Sequence, residues 1–468
     1  MKDLPVYNMI KKYIDKNPTI FHMPGHKMGN KVLDYYTKDM IKWDLTEIPD
    51  TDNLHEPQSA IKEAQEKLAK AFGAEESFFL VNGSTCGIHA ILLSVCKAND
   101  KVIVGRDCHK SVLNILSFLE ANVVFVNPEY NEEFGIYCGY NPEKIEKTVD
   151  ENPDCVMVIL TSPNYYGVCS DIESIAQKVH NKDKILVVDE AHGAHLKFSK
   201  KLPKSAIEQG ADAVIQSAHK TLPALTQTAY LHVKSNRINR RKLKNILRMI
   251  QTSSPSFIFM TSLDMARYIM ENEGEKMIND LCGLVDNFIY KMNNVEGIKI
   301  LNCDLHDKTR LVINFSDVGI VGYDVEKLLL SKYGIQVEMS DINNIVCITT
   351  VCDDKESFDK LEKAIKDIVL NSSKVKKENV AIKGLKLDEQ EEIKLININQ
   401  YDTMLVNLED SVDKVSANMI VPYPPGIPYI IMGQKIENKH IKILKKFLEL
   451  GANVNGIDEG KIEVLNKK

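Results

Sequence analysis

Tryptophan occurs once in these 468 residues, and none of the ten cysteines pairs in a C-x-x-C motif. The Cys/His spacing therefore matches no zinc pattern, and thiols scattered singly read as reduced and mostly buried. No apolar stretch reaches the roughly 18–20 residues that a bilayer span needs. The opening Met1-Lys2-Asp3 has no apolar core of a secretion signal behind it, so a cytoplasmic location is expected. Neither charge dominates: 59 Lys and Arg stand against 65 Asp and Glu, a net charge of -6. That balance gives no reason to expect nucleic acid or an anionic membrane as partner, and it suits a cationic small molecule. There is no internal repeat, no low-complexity tract, no G-x-x-x-x-G-K-[ST] loop and no G-x-G-x-x-G. What is present is ordinary for a globular chain, 44% hydrophobic and 26% charged, and long enough for a large core with smaller units attached.

Residues 1–55 read as irregular, with Pro5, Pro18, Pro24 and Pro49 around the cluster Phe21-His22-Met23-Pro24-Gly25-His26-Lys27. Ile61, Ala64, Leu68 and Phe72 then recur at helical spacing, with Pro57 near the start and Gly73 as the stop. Short Val/Ile-rich runs follow at Phe78–Val81, Lys101–Val104, Val123–Val126, Val156–Leu160, Ile185–Val188 and Ala213–Ile215. Helical runs lie between some of them, at Ile88–Ala98, Val112–Ala121 and Ile172–His180. Buried strands alternating with helices predict an α/β fold with a mostly parallel sheet covered on both faces. A long helix is expected over Met260–Met292. Strands at Ile298–Leu301, Leu311–Phe315, Gln336–Met339 and Ile345–Thr349, with helices at Val325–Tyr333 and Phe358–Leu370, then make a small α+β unit. Asn371–Asn379 reads as a linker, and a Pro/Gly knot stands at Pro422-Tyr423-Pro424-Pro425-Gly426-Ile427-Pro428. The expected division is 1–55, 56–275, 276–370 and 371–468.

Four strand ends carry candidate chemistry. Lys220, in Ser217-Ala218-His219-Lys220-Thr221, follows a buried strand; desolvation there lowers an amine's pKa and makes it a nucleophile able to form an imine. A surface lysine in a turn is the ordinary alternative. Asp189 ends the run Val187-Val188-Asp189, where a carboxylate is costly without a cationic partner. The protonated nitrogen of a pyridine cofactor is such a partner, and a helix cap is the plainer role. Asn82-Gly83-Ser84-Thr85 joins a strand to a helix, where backbone N–H groups and hydroxyls bind phosphate, or simply cap the turn. His109 follows the next strand, where an imidazole can stack on a planar ring at the carboxyl end of the sheet, or cap the next helix. His192 and His195 have no third ligand in sequence, so no metal is expected. The weight lies in the four roles arriving in order, each after a strand.

Together with Phe21–Lys27, His109-Lys110-Ser111-Val112, Pro163-Asn164-Tyr165-Tyr166-Gly167 and Asp189-Glu190-Ala191-His192-Gly193-Ala194-His195, these motifs resemble the bacterial ornithine/lysine/arginine decarboxylases. The likeness is to their short branch, which lacks an N-terminal wing and includes biosynthetic arginine decarboxylases, and it runs from about Pro5 to Gly433. The resemblance implies a fold-type-I pyridoxal-phosphate enzyme with a large domain, a small domain and a C-terminal domain, working at least as a homodimer with the site at the subunit interface. It implies Lys220 as the imine-forming lysine, Asp189 on the pyridine nitrogen, and His109 and Ala191 on the two ring faces. It assigns the phosphate to Ser84, Thr85, Ser217 and His219. His192 stands where the long enzymes carry Trp, with the ring hydroxyl or the substrate carboxylate as its contact, and Glu338 takes the substrate's distal cation. The implied reaction is decarboxylation of arginine, with lysine and ornithine next. An aminotransferase or another lyase of the same fold is the first rival. Arg310 is its candidate carboxylate clamp, and a structural ion pair is the plainer role for that residue. A non-catalytic paralogue acting as a regulatory or binding subunit is the second.

Overall fold

The computed structural model describes residues 13–31, 40–48, 50–372, 392–423, 426–449 and 451–466. Pro5 and Pro49, most of the expected linker, and Pro424 and Pro425 of the Pro/Gly knot lie outside the described residues.

The Val/Ile-rich runs form one eight-stranded sheet. Its order is Ile393–Lys394, Asn122–Val126, Lys101–Gly105, Cys155–Thr161, Ile185–Asp189, Ala213–Gln216, Ala229–Val233, Glu76–Leu80. Neighbouring strands from Asn122–Val126 to Ala213–Gln216 pair in parallel, while Ala229–Val233 is antiparallel to both its neighbours. Val102, Ile103, Met157, Val158, Leu186, Val187, Val188, Val214 and Ile215 are fully buried. Alternate residues of each strand feed separate apolar clusters on the two faces of the sheet. That two-sided burial is why these strands read as continuous apolar runs. Each such side chain contributes roughly 1.5–3 kcal/mol relative to exposure, so a charged group at a strand end is tolerated only where something compensates it. The edge strand Glu76–Leu80 is buried, and its free edge is protected by side chains: Gln65 Oε1 accepts the Phe79 N–H and, just past the strand, Gln251 Oε1 the Val81 N–H, both at 2.9 Å.

The 36-residue helix Phe257–Met292 leads from the large sheet to the small unit, whose sheet runs Lys299–Ile300, Arg310–Asn314, Asn344–Ile348, Met339–Ser340, all antiparallel. The 275/276 division falls inside this helix, and the 370/371 division inside the helix Lys355–Ser372. The single strand expected over Gln336–Met339 is two strands that break at Glu338. Ile335–Val337 pairs with Thr19–Phe21, and Met339–Ser340 with the small sheet. After the undescribed stretch, Ile393–Lys394 adds to the edge of the large sheet. The pairs Thr403–Asn407 with Lys461–Leu465 and Val421–Tyr423 with Asn453–Asn455, and the helix Asn438–Glu449, make the C-terminal unit.

The opening cluster lies across the seam between the units. A Cβ on Gly25 would sit 2.6 Å from the Leu222 carbonyl oxygen, so only glycine lets the segment press onto the turn that carries Lys220. Lys27 is buried, donates to the Ile348 carbonyl at 2.7 Å and pairs with Asp353 at 3.7 Å.

Candidate active site

Every parallel strand delivers its carboxyl end to one side of the sheet, and the candidate residues lie there in consecutive loops. Several of them surround a cavity of about 190 Å³, whose lining does not include Thr85, Ser217, His219 or Glu338. Ser84, Asp107, His109, Asp189, Ala191, His192 and Lys220 line it from the large sheet, joined by Tyr165 and Met23. Val421, Tyr423, Gly426, Ile427 and Asn455 close it from the C-terminal unit. A larger groove of about 590 Å³ between the helices Ala60–Phe72 and Arg240–Ile250 contains none of these residues.

The helix after the first strand begins at Gly83, earlier than the apolar run alone suggests, which puts Ser84 in its first turn. Gly83 has φ of 73°, a left-handed conformation that favours glycine. Ser217, just before the one-turn helix Ala218–Thr221, donates to Ser84 Oγ at 2.9 Å, so two hydroxyls converge on a helix N-terminus. Thr85 is exposed and does not line the cavity. The His219 ring is tied to the Thr228 carbonyl at 2.9 Å and lies outside the lining.

Asp189 is 2% exposed and accepts the Ala191 N–H at 3.1 Å. Burial raises its pKa, with the Lys220 charge acting the other way. No cation lies within 4 Å of it among the described residues. It is a buried carboxylate facing a cavity without a cationic partner, the chemistry that a pyridinium nitrogen completes. Lys220 is half-buried on its turn. Burial pulls its amine down to about 8, against the attraction of Asp189 and Glu338. Its Nζ lies 3.0 Å from His192 Nε2. His109 caps the helix Lys110–Phe118; its Nδ1 accepts the Ser111 N–H at 3.3 Å and lies 2.8 Å from Ser111 Oγ, which fixes the ring. Burial, then the Lys220 charge, lowers its pKa to about 4, so the imidazole is neutral. The donor set therefore fits pyridoxal phosphate: hydroxyls at a helix end, a neutral imidazole, an uncompensated carboxylate and a softened amine.

His192 and His195 point apart, the first to Lys220 and the second to Asp307 at 3.0 Å. Among the described residues no group of three His, Cys, Asp or Glu is placed to hold a metal. At the break between strands, Glu338 accepts from the Tyr165 hydroxyl at 2.5 Å and from the Met23 N–H at 3.0 Å. Arg310 is fully buried and makes no ion pair within 4 Å among the described residues; its Nη2 meets His192 Nδ1 at 3.3 Å.

Three contributors escaped the sequence reading. Asp107 lines the cavity and accepts from the Tyr140 hydroxyl; burial raises its pKa to about 7. Its signal was available, since it stands at a strand end just as Asp189 does. Tyr165 sits in a quoted motif, yet nothing local shows that its ring covers His192 at 4.8 Å. Arg106 is 1% exposed and donates to the Pro428 carbonyl at 2.7 Å and the Tyr429 carbonyl at 3.1 Å, fastening the C-terminal unit over the cavity. Its partners are more than three hundred residues away in sequence, beyond any local pattern.

A parallel sheet that gathers a half-buried lysine, a buried aspartate and a hydroxyl-lined helix end defines a fold-type-I pyridoxal-phosphate enzyme. Residues 4–312 match the model of the Orn/Lys/Arg decarboxylase major domain, and residues 389–458 that family's C-terminal domain. The chain belongs to the Orn/Lys/Arg decarboxylase family. It is 32% identical to the arginine decarboxylase of Bacillus subtilis over 99% of this chain and 97% of that protein. With the arginine decarboxylase of Bacillus anthracis it shares 33% identity over 99% of this chain and 97% of the relative. The inducible lysine decarboxylase of Escherichia coli is 22% identical, over 97% of this chain and 78% of its own length. Among solved structures, lysine decarboxylase A from Pseudomonas aeruginosa superposes with a TM-score of 0.77 at 20% identity, covering 95% of this chain and 78% of that one.

Proposed function

We propose that this chain is a cytoplasmic enzyme that converts arginine to agmatine and CO2, as a homodimer using pyridoxal phosphate. The observation that carries the reading is the meeting of the Lys220 amine and the unpaired, buried Asp189 carboxylate at one cavity. The choice of arginine rests on the full-length likeness to the two Bacillus arginine decarboxylases. When bound, the cofactor supplies an aldehyde for the lysine amine and a protonated ring that accepts the electron pair of the breaking Cα–carboxylate bond.

The chain's own residues do the rest. Asp189 would hold the proton on the ring nitrogen, because a buried anion without another cation close to it favours the charged form beside it. His109, neutral and fixed by Ser111, and Ala191 both line the cavity and would hold the cofactor ring between them. Ser84 would donate its hydroxyl to the phosphate at the first turn of the helix Gly83–Val95, and Ser217 would turn its hydroxyl there from Ser84, with Thr85 and His219 near them outside the cavity lining. Glu338 takes the guanidinium of the substrate, exchanging its Tyr165 and Met23 donors for a charged one. Val421 and Ile427 keep water from the reacting carboxylate, and Lys220 returns a proton to Cα. His192, held against Lys220, is in reach of the substrate carboxylate.

The test is release of CO2 from arginine, lysine and ornithine side by side, with the amine product identified. Formation of a keto acid instead points to an aminotransferase, and absence of any cofactor spectrum points to a non-catalytic subunit. Lys220→Ala should abolish turnover and the visible absorbance of the lysine imine. A variant that kept normal turnover ends this reading.

A further inference from the structure

The guanidinium of Arg310 is buried behind the cavity. Among the described residues its Nε and Nη1 have no hydrogen-bond partner; Asp307, close in sequence, accepts from Thr309 through Oδ1 and faces His195 at 3.0 Å, so it acts on the guanidinium through its charge and not through a hydrogen bond. The backbone at Gly167, at φ of 84°, sets its path: a Cβ there would lie 2.5 Å from Arg310 Cβ. The hydrogen bond that remains runs from Arg310 Nη2 to His192 Nδ1 at 3.3 Å. A guanidinium has only donors, so at this contact Nδ1 can only accept. Burial, then the Lys220 and Arg310 charges, hold the His192 pKa well below its ordinary value, so the ring is neutral. A neutral imidazole that accepts at Nδ1 carries its proton on Nε2. Nε2 is 3.0 Å from Lys220 Nζ. Two donors cannot share that contact, so the lysine nitrogen must accept, which only the uncharged amine can do.

We propose that Arg310 is a positioning residue that fixes the tautomer of His192 and thereby favours the free amine of Lys220. Its use in catalysis rests on the functional reading above. The amine's lone pair forms the N–C bond to an aldehyde carbon, and the carbonyl oxygen leaves as water with the amine's two protons. The groups that face Lys220 oppose one another. Asp189 and Glu338 favour the ammonium ion, while Arg310 disfavours it. His109 and His219 also sense the lysine charge, and burial lowers the pKa of both. Among the described residues, the contact that demands a lone pair on Nζ is the one Arg310 sets through His192.

The test uses the full-length chain freed of cofactor. Carbamylation of Lys220 by cyanate is followed against pH by peptide mass spectrometry, with circular dichroism to confirm folding. In Arg310→Met the imidazole is free to turn its acceptor to the lysine, and a cation is lost. The midpoint should rise by about one unit, making the reaction about tenfold slower near neutral pH. Arg310→Lys, still a donor without an acceptor, should keep the original midpoint. In a His192→Phe background, Arg310→Met should shift the midpoint far less, because the relay is already broken. An unchanged midpoint in Arg310→Met overturns the proposal. So does a shift of the same size in the His192→Phe background, which would mean that charge alone acts. If Arg310→Met does not fold, His192→Phe by itself must still raise the midpoint, and no rise overturns the proposal. Failure of the wild-type chain to form an imine with pyridoxal phosphate would instead sink the functional reading and leave the carbamylation result standing.

Discussion

Replacing Asp107 by Asn should make the protein more stable at alkaline pH and leave it nearly unchanged in acid. The Asp107 carboxyl is buried, and the Tyr140 hydroxyl donates to it. Its pKa is raised from 3.8 to about 7, by burial first and with the Asp189 charge adding to it. The folded state therefore holds a proton on Asp107 that the unfolded chain releases above about pH 4. Between about pH 4 and 7 the folded state binds more protons, so this group's contribution to stability falls with rising pH by about 1.4 kcal/mol per unit. Above the folded-state pKa both states are ionised and the loss stops growing. Over the 3.2 units between the two values it amounts to about 4 kcal/mol. Asp107→Asn keeps the shape and an acceptor for Tyr140 but cannot ionise, so it avoids this loss. Urea unfolding of wild type and variant, freed of cofactor, at several pH values from 5 to 8 gives the difference directly. Titrating groups that do not interact with Asp107, Glu190 among them with its pKa also raised to about 7, cancel in that difference. A gap between the two proteins that stays constant across the range would refute the reasoning.

Three further outcomes are expected. Asp189→Ala should lower kcat about a thousandfold while the lysine imine still forms, because a charge that stabilises the transition state is lost; an unchanged rate removes Asp189 from the chemistry. Arg106→Met should raise KM roughly five- to a hundredfold, since losing the donor that ties two buried carbonyls to the cavity wall costs about 1–3 kcal/mol in all; steady-state kinetics with KM unmoved would show that the clamp does not shape the cavity. Asp52→Ala should cost about 1–3 kcal/mol in urea unfolding at neutral pH, because its carboxylate accepts backbone N–H groups of Asn53, Gln58, Ser59 and Ile61 around the start of the helix Ala60–Phe72.

Much of the large sheet is legible in the amino-acid sequence, because strands buried on both faces must be apolar throughout and short. Asp189 and Lys220 are legible for the same reason: a charge at the end of such a strand needs a purpose. Asp107 carries the same signal, but the neighbouring His109 offers a competing role at the same strand end and hides it. The break at Glu338 is not legible, because Gln336–Met339 alternates like one strand and only its two different partners, Thr19–Phe21 and Asn344–Ile348, divide it.

The sequence by itself determined the alternation of strands and helices, the family, and the loops that carry the chemistry, because these follow from local periodicity and from short runs of adjacent residues. Tertiary structure alone decided that Arg310 reaches His192 rather than a carboxylate, that Tyr165 and Met23 hold Glu338, and that Arg106 draws the C-terminal unit over the cavity. Each of those contacts joins residues more than a hundred positions apart. Hydrogen bonds act over about 3 Å, so no pattern along the chain can announce a partner that only folding brings within that distance.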